Sequence, residues 1–408
     1  MNLRICLITD GYPPENAGSG IATYTATTAR ALAQAGHKVS VISPAVDGGT
    51  SVSQRDGVQL HRVLAAHLPG SGGKSFLDAY LFARAAAAEV HKLTNAGGLD
   101  IVESPEHGAG GFALTMNGRQ ALHVVRLHAP LFLVNEAAGR RLSVGGRLVN
   151  AMERTTTRRA ALVTSPSWAL AEIVAPRFGI DPARIRVVPN SIDTDMFRPA
   201  EAGEVAPHPP TVLYVGKVAP LKGAAVLAQA IPRVVRRLPE VRLVIVGSDH
   251  PAGPRGGSSK QEMLARVRQA GVESNVTMLD RMERTRLVTL YHNADLCVVP
   301  SLWETFPYAC VEAMSCGLPV VATAVGGLNE IIDQGRDGVL VPPRDPAKLA
   351  DEIVELLTHA ERRRTMGQLA REKALRLYSV ERVVQETLAA YDEAMARARA
   401  ARAGACFQ

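Results

Sequence analysis

Residues 211–247 read TVLYVGKVAPLKGAAVLAQAIPRVVRRLPEVRLVIVG. The segment opens on TVLYVG, an apolar run of strand length, and breaks into a loop holding glycine, proline and two lysines. It resumes as AAVLAQAIPRVVRRL, whose apolar residues recur at helical spacing. It closes on VRLVIVG, a second continuous apolar run. Strands apolar on both faces belong to sheets covered on both sides, which are typically parallel. The same unit occurs near the start: RICLIT (4–9), a loop, TYTATTARALAQAG (23–36), then HKVSVIS (37–43). Each half of the chain therefore predicts an α/β fold with its own parallel sheet.

Working outward, GVQLHRV, LDIVES, ALHVVRL, ALVTS and IRVVP are further strand candidates in the first half. VTML, DLCVVP, LPVVAT and GVLVP are those of the second. Arg198–Pro210, RPAEAGEVAPHPP, is proline-rich and aperiodic, and reads as a linker. From Pro346 the chain reads as helix, ending in a tail, ARARAARAGACFQ, expected to fray.

At 408 residues, 47% of them apolar, the chain has material for two domains without disulfides. Aromatics at 4% argue against a nucleic-acid stacking surface. The five cysteines, Cys6, Cys297, Cys310, Cys316 and Cys406, form no C-x-x-C pair. They read as reduced thiols of a cytoplasmic protein, with Cys6, Cys297 and Cys310 as core filler. No apolar stretch reaches the length of a membrane span, and the first residues lack a secretory pattern. A net charge of +7 suits a polyanionic ligand or an anionic membrane, or reflects a solvated arginine-rich surface.

In parallel sheets ligands bind beyond the carboxyl ends of the strands, and the candidate motifs follow strands. In SLWETFPYACVEAMSCGLPVV (301–321), Glu304 lies in the loop after a strand and Glu312 inside a short helix. Pro307 belongs in the first turn of that helix, and Gly317 with Pro319 ends it. The amides around Phe306 and Tyr308 then form a helix N-terminus that attracts anions such as phosphate. The structural alternative is one acid completing a helix start and the other on a solvated face. Val311, Ala313 and Met314 around Glu312 argue against such a face. Lys217 and Lys222 flank a Gly/Pro loop after a strand, fit to neutralise a diphosphate or simply solvated.

Gly18-Ser19-Gly20 precedes a helix starting near Ile21 and permits close backbone approach, or is a flexible loop. It is no dinucleotide fingerprint: Thr23 stands where the third glycine belongs. His128 closes a strand, where a histidine is structural or catalytic. His123 lies on the opposite strand face and makes no metal pair with it. Asp193 and Asp195 form a D-x-D that reads as a turn or helix cap. No other cluster suggests a metal.

These residues together resemble the bacterial retaining glycosyltransferases of family 4. The resemblance runs from YPPENAGSGIATYTATTARALAQAGHKVSVIS (12–43) to the terminal helices. Its most specific element is Glu304-x7-Glu312. VVPNSIDTDMF (187–197) matches the family's domain-joining segment. The resemblance implies a GT-B fold of two facing Rossmann-like domains. Residues 1–198 would bind the acceptor, residues 199–379 the nucleotide sugar, and a terminal helix, 380–408, would return to the first domain. It implies metal-independent transfer of a hexose, with retention, from a UDP- or GDP-sugar to a hydroxyl acceptor. Such transfer serves glycan, glycolipid or natural-product glycoside biosynthesis.

On this resemblance Glu304 touches the hexose, Glu312 the ribose and Lys222 the diphosphate. Lys217 stands where the family commonly has arginine, keeping charge but losing a bidentate fork. Gly18 and Gly20 lie near the diphosphate or acceptor, and Phe306, Pro307, Tyr308 and Arg281 complete the donor set. His128 lies near the transferred sugar, making Glu304, His128, Lys217 and Lys222 the catalytic candidates. Glu106 and His107 fall where acceptor contacts are expected. The long segment GSDHPAGPRGGSSKQEML (247–264) is expected to fold over the nucleotide. No cofactor beyond the nucleotide sugar and no nucleic-acid partner is implied. Six arginines between Arg140 and Arg159, with Glu153 the only acid among them, suit a lipid-linked acceptor and a peripheral place on the inner face of a membrane, or a solvated helix. The alternatives are a nucleotide-sugar epimerase of the same fold and a catalytically silent nucleotide-sugar-binding subunit.

Overall fold

A computed structural model describes residues 2–13, 19–45, 49–64, 76–116, 121–201, 203–205, 207–250 and 257–405. The chain divides into two compact units, Met1–Ser191 with Val380–Gln408, and Ile192–Ser379. The division falls at 191/192 and not at 198/199. The reason is local: Ile192 N–H donates to Tyr378 O (2.7 Å), and Phe197 packs edge-on against Tyr291, 5.8 Å away. Residues 192–198 thus fold with the second unit, ahead of the proline-rich stretch.

The first unit runs β1 (Arg4–Ile8), α1 (Gly20–Gln34), β2 (Lys38–Pro44), β3 (Ser51–Arg55), β4 (Val58–Val63), α2 (Phe76–Gly97), β5 (Ile101–Pro105), β6 (Leu122–Arg126), α3 (Leu131–Ala137), α4 (Val144–Arg159), β7 (Leu162–Ser165), α5 (Trp168–Phe178) and β8 (Ile185–Val187). Its sheet has the order β3-β4-β2-β1-β5-β6-β7-β8. The pairings are parallel except β3 with β4, which is antiparallel. β3 is absent from the sequence reading because all its residues are exposed and it carries no apolar run. Its legible signal was Asp56-Gly57: both adopt positive φ, 50° and 77°, as a two-residue hairpin turn requires.

The second unit runs β9 (Thr211–Val215), α6 (Ala224–Arg237), β10 (Arg242–Val246), α7 (Ser259–Gln269), β11 (Val276–Leu279), α8 (Arg284–His292), β12 (Leu296–Val299), α9 (Tyr308–Ser315), β13 (Val320–Thr323), α10 (Leu328–Ile331), β14 (Gly338–Val341), α11 (Pro346–Thr358) and α12 (Ala360–Tyr378). Its all-parallel sheet has the order β11-β10-β9-β12-β13-β14, the doubly wound Rossmann arrangement. The order reverses between β9 and β12, and the loops leaving these two strands carry Lys217, Lys222 and Glu304. In the first unit the corresponding switch lies between β1 and β5.

The last helix, α13 (Val380–Ala405), belongs to the first unit. Its Val383, Ala390, Tyr391 and Ala394 are buried with Leu3, Ile5, Leu32 and Val41. Tyr391 also donates to Glu103 Oε2 (2.9 Å), and Tyr24 of α1 donates to Oε1 (2.9 Å). A carboxylate inside a strand is costly to bury unless hydrogen-bonded, and here two hydroxyls satisfy it. Cys6, Cys297, Cys310 and Cys316 are buried free thiols; Cys406 lies outside the described residues. Among the described residues no helix is long and apolar enough to cross a membrane.

Candidate active site

In the second unit the site begins with Gly223. Its φ is 75°, and a Cβ there would lie 1.8 Å from Pro300 O. Only glycine allows the start of α6 to approach the end of β12 this closely. The approach lets Leu302 N–H donate to Leu221 O (2.8 Å) and brings Lys222 to the β12 loop. Lys222 Nζ then meets Glu304 Oε1 at 2.6 Å, across 82 residues of sequence. Ser301 donates to the same oxygen from 2.7 Å.

Glu304 is buried, and its backbone is held as well as its side chain. Its carbonyl accepts from Gly327 N–H (2.9 Å), and Gly326, with φ 49°, leaves room for that carbonyl where a Cβ would sit 2.0 Å away. Lys217 is exposed and has no ion-pair partner among the described residues. Its loop is fixed through Tyr214, whose O–H donates to Lys217 O at 2.7 Å.

Pro307 is the N-cap residue of α9 and not its first-turn residue; the helix starts at Tyr308. Proline supplies no capping side chain, so no N-cap side chain covers the first-turn amides. The Phe306 ring is core, edge-on to Tyr378 at 5.6 Å and to Tyr308 at 6.2 Å. Any part of Phe306 in donor binding is therefore played by its backbone. Arg281 is exposed with no partner among the described residues. Residues 251–256 of the long segment, expected to cover the nucleotide, lie outside the described residues.

Glu312 is buried in α9 and takes two partners. Arg284 Nη2 donates to Oε1 (3.0 Å) and Tyr291 O–H to Oε2 (2.9 Å). The sequence reading named neither partner, and through them Glu312 ties α8 to α9.

In the first unit Gly18 lies outside the described residues. Ser19 caps α1, its Oγ accepting from Ala22 N–H (2.9 Å), and Gly20 is the first helical residue. Among the described residues a Cβ at Gly20 meets nothing within 4 Å, so packing does not account for that glycine.

His128 follows β6. Its peptide N–H donates to both oxygens of Glu106, at 2.9 and 2.8 Å. Its ring lies edge-on to Tyr24, 5.2 Å away. Burial, with the Arg126 guanidinium and His107 nearby, holds its imidazole well below the usual histidine range, so it is neutral at pH 7.

Glu106 corrects the sequence reading. It is fully buried beneath the His128 peptide and presents no carboxylate to an acceptor. Burial, reinforced by nearby Glu153, raises it to about 8, and the His128 amide pulls the other way. His107 is half-buried and donates from Nδ1 to Ala129 O (2.8 Å), which fixes its tautomer. Glu153, read as the lone acid of an arginine-rich helix, is also fully buried. It accepts from Gly108 N–H and Leu131 N–H, both at 2.9 Å, and so ties the loops after β5 and β6 to α4. Its signal was periodic: Val149, Met152, Glu153, Thr156 and Thr157 form the buried stripe of α4.

Among the described residues no group of three or more His, Cys, Asp or Glu is placed to hold a metal ion. Asp193 caps a turn, accepting from Met196 N–H at 2.8 Å.

Two units, each with its own doubly wound sheet, and a lysine–glutamate pair at the switch point of the second are the features expected of the GT-B class of glycosyltransferases. The comparisons agree with this. Residues 200–373 match the family model described as glycosyl transferases group 1, and residues 18–196 the model for glycosyltransferase family 4. The D-inositol 3-phosphate glycosyltransferase of Acidothermus cellulolyticus is 30% identical over 405 residues, covering 94% of this chain and 87% of that protein. Its counterpart in Segniliparus rotundus is 38% identical over 225 residues, but that match spans about half of each chain, 53% of this one and 49% of the relative. Sucrose-phosphate synthase from Thermosynechococcus elongatus superimposes with a TM-score of 0.79 at 24% identity, covering 96% of this chain and 99% of that one. The Anabaena protein HepE, solved with UDP-glucose, gives 0.73 at 20% identity, covering 95% and 100%. The chain belongs to the group 1, family 4 glycosyltransferases.

Proposed function

We propose that the protein transfers a hexose from a UDP- or GDP-sugar to a hydroxyl acceptor, with retention and without a metal. The observation that carries this reading is the Lys222–Glu304 pair at the β9/β12 switch, with Lys217, which has no ion-pair partner among the described residues, on the same loop. As the nucleoside diphosphate leaves, negative charge grows on its β-phosphate. Lys217, Lys222 and the first amides of α9 stabilise that charge. With no donor bound, Lys222 is held by Glu304. The diphosphate competes for the ammonium, which frees Glu304 oxygens for the hexose hydroxyls while Ser301 keeps the side chain in place. Glu312 accepts from the ribose hydroxyls. Among the described residues no carboxylate stands out as a covalent nucleophile, since Glu304 is assigned to the hexose hydroxyls, and front-face attack by the acceptor is the route this reading favours. His128, neutral, serves the transferred sugar as a hydrogen-bonding imidazole, and His107 stands near the acceptor.

Relatives named for D-inositol 3-phosphate make a cyclitol phosphate the first acceptor to try. UDP-glucose, the ligand in the HepE structure, is the first donor. The test is product formation from UDP- and GDP-hexoses with D-inositol 3-phosphate, with the anomeric configuration read by NMR. Retained configuration, and transfer that persists in excess EDTA, are the expected results. Activity lost with chelator and restored by manganese or magnesium overturns metal independence. A donor converted with no acceptor present points instead to an epimerase.

A second acceptor reading rests on α4. Val144 is 67% exposed and Leu148 46%, four residues apart on the helix, with Arg140, Arg141 and Arg147 also exposed. An apolar strip framed by arginines suits an anionic bilayer and a lipid-linked acceptor, with the enzyme peripheral on the cytoplasmic face. Flotation with liposomes containing anionic lipid is expected to carry the protein at low salt and release it as salt rises. Absence of binding at low salt restricts the acceptor to soluble molecules.

A further inference from the structure

Arg281 lies in the loop between β11 and α8 and Arg284 opens α8, and their surroundings differ. Arg281 is exposed and unpartnered among the described residues. Arg284, the first residue of α8, sets Nη2 3.0 Å from Glu312 Oε1 and lays its guanidinium over the Phe197 ring, 4.9 Å from the centroid. Two turns further along the same helix, Tyr291 is fully buried and donates its O–H to Glu312 Oε2 at 2.9 Å. Tyr291 also lies edge-on to Phe197. One helix thus grips both oxygens of a carboxylate carried by another, and one aromatic ring braces both grips.

Each carboxylate oxygen offers two acceptor positions. Arg284 takes one on Oε1 and Tyr291 one on Oε2, so each oxygen keeps one. A ribose diol brings two hydroxyl donors. We infer that Arg284 is a positioning residue for the nucleotide: with Tyr291 it holds Glu312 so that the two remaining acceptor positions face the two ribose hydroxyls. This rests on the reading of Glu312 as the ribose ligand. Arg284 Nε is buried with no hydrogen-bond partner among the described residues, a cost borne to keep the guanidinium against Glu312 and Phe197.

The test is calorimetric binding of UDP and of GDP to wild type, Glu312→Gln, Arg284→Met, Arg284→Lys and the Glu312→Gln/Arg284→Met double variant, each checked for folding by melting. Arg284→Met is expected to weaken the better-bound nucleotide about tenfold or more, the size expected for a charge-assisted hydrogen bond. Arg284→Lys recovers part of that loss, since the charge survives and the planar guanidinium over Phe197 does not. The double variant binds within about twofold of Glu312→Gln, because Arg284 acts through Glu312. With the working donor, KM rises by a larger factor than kcat falls, a split that a merely structural role does not produce. A folded Arg284→Met with unchanged affinity, beside a weakened Glu312→Gln, overturns this assignment alone. Losses that multiply in the double variant also overturn it, since Arg284 then contacts the nucleotide itself. Unchanged affinity in Glu312→Gln removes the ribose reading and this assignment with it. If Arg284→Met does not fold, Arg284→Lys and Tyr291→Phe replace it: both are expected to bind several-fold more weakly, and unchanged affinity in both overturns the assignment.

Discussion

Glu304→Gln is expected to lower kcat by about a hundredfold, the scale of losing one preorganised electrostatic contact to a transition state. The substitution keeps the shape of the side chain and removes its charge. Glutamine still accepts from Ser301, and Glu304's carbonyl still receives Gly327 N–H, so the loop should hold its course. What changes is the pair with Lys222. The ammonium loses its carboxylate and faces the site unpaired, ready for a diphosphate. UDP or GDP should therefore bind the variant at least as tightly as wild type while turnover falls. Steady-state kinetics with the working donor, nucleotide calorimetry and a melting curve separate the two effects. A kcat within twofold of wild type in a folded variant would sink the assignment of Glu304 to the reacting hexose.

Gly223→Ala is expected to have the largest effect on stability, and to damage activity through stability's local cause. Two costs add. A residue with a Cβ at φ 75° carries about 1–2 kcal/mol of left-handed strain. A methyl 1.8 Å from Pro300 O forces the start of α6 and the end of β12 apart, an overpacking cost of about 1–3 kcal/mol. Their separation breaks the Leu302–Leu221 hydrogen bond and draws Lys222 away from Glu304. The folded fraction should then bind UDP or GDP less tightly and turn over less. Gly271→Ala is the control: φ there is 70°, but a Cβ meets nothing within 4 Å. It should show only the backbone cost. Denaturant midpoints for both variants decide the matter; equal losses would mean that the close approach of Gly223 to Pro300 contributes nothing.

The amino-acid sequence by itself determined most of the elements and the class of the protein. Strands buried on both faces must be continuously apolar, and the helices covering them need one apolar stripe. TVLYVG, VRLVIVG and ADLCVVPS therefore declare themselves without reference to any contact. The Glu304-x7-Glu312 spacing and the two lysines after β9 are likewise local patterns. β3 escaped because pairing at a sheet edge needs no apolar run, although Asp56-Gly57 announced its hairpin.

Only the tertiary structure decided which partners those residues meet. Strand order is not written in any window of sequence, and it is the β9/β12 switch that brings Lys222 to Glu304 across 82 residues. Glu106 has the composition of a ligand-binding residue, yet it turns inward to hold the His128 peptide. Glu153 looked like a stray acid among arginines and is the buried tie between two loops. Arg281 and Arg284 are indistinguishable as arginines three positions apart; the first turn of α8 sends only Arg284 onto Glu312. A burial pattern repeats along one element and can be read there. The satisfaction of a buried charge depends on a donor from another element, and its identity follows from how the elements pack.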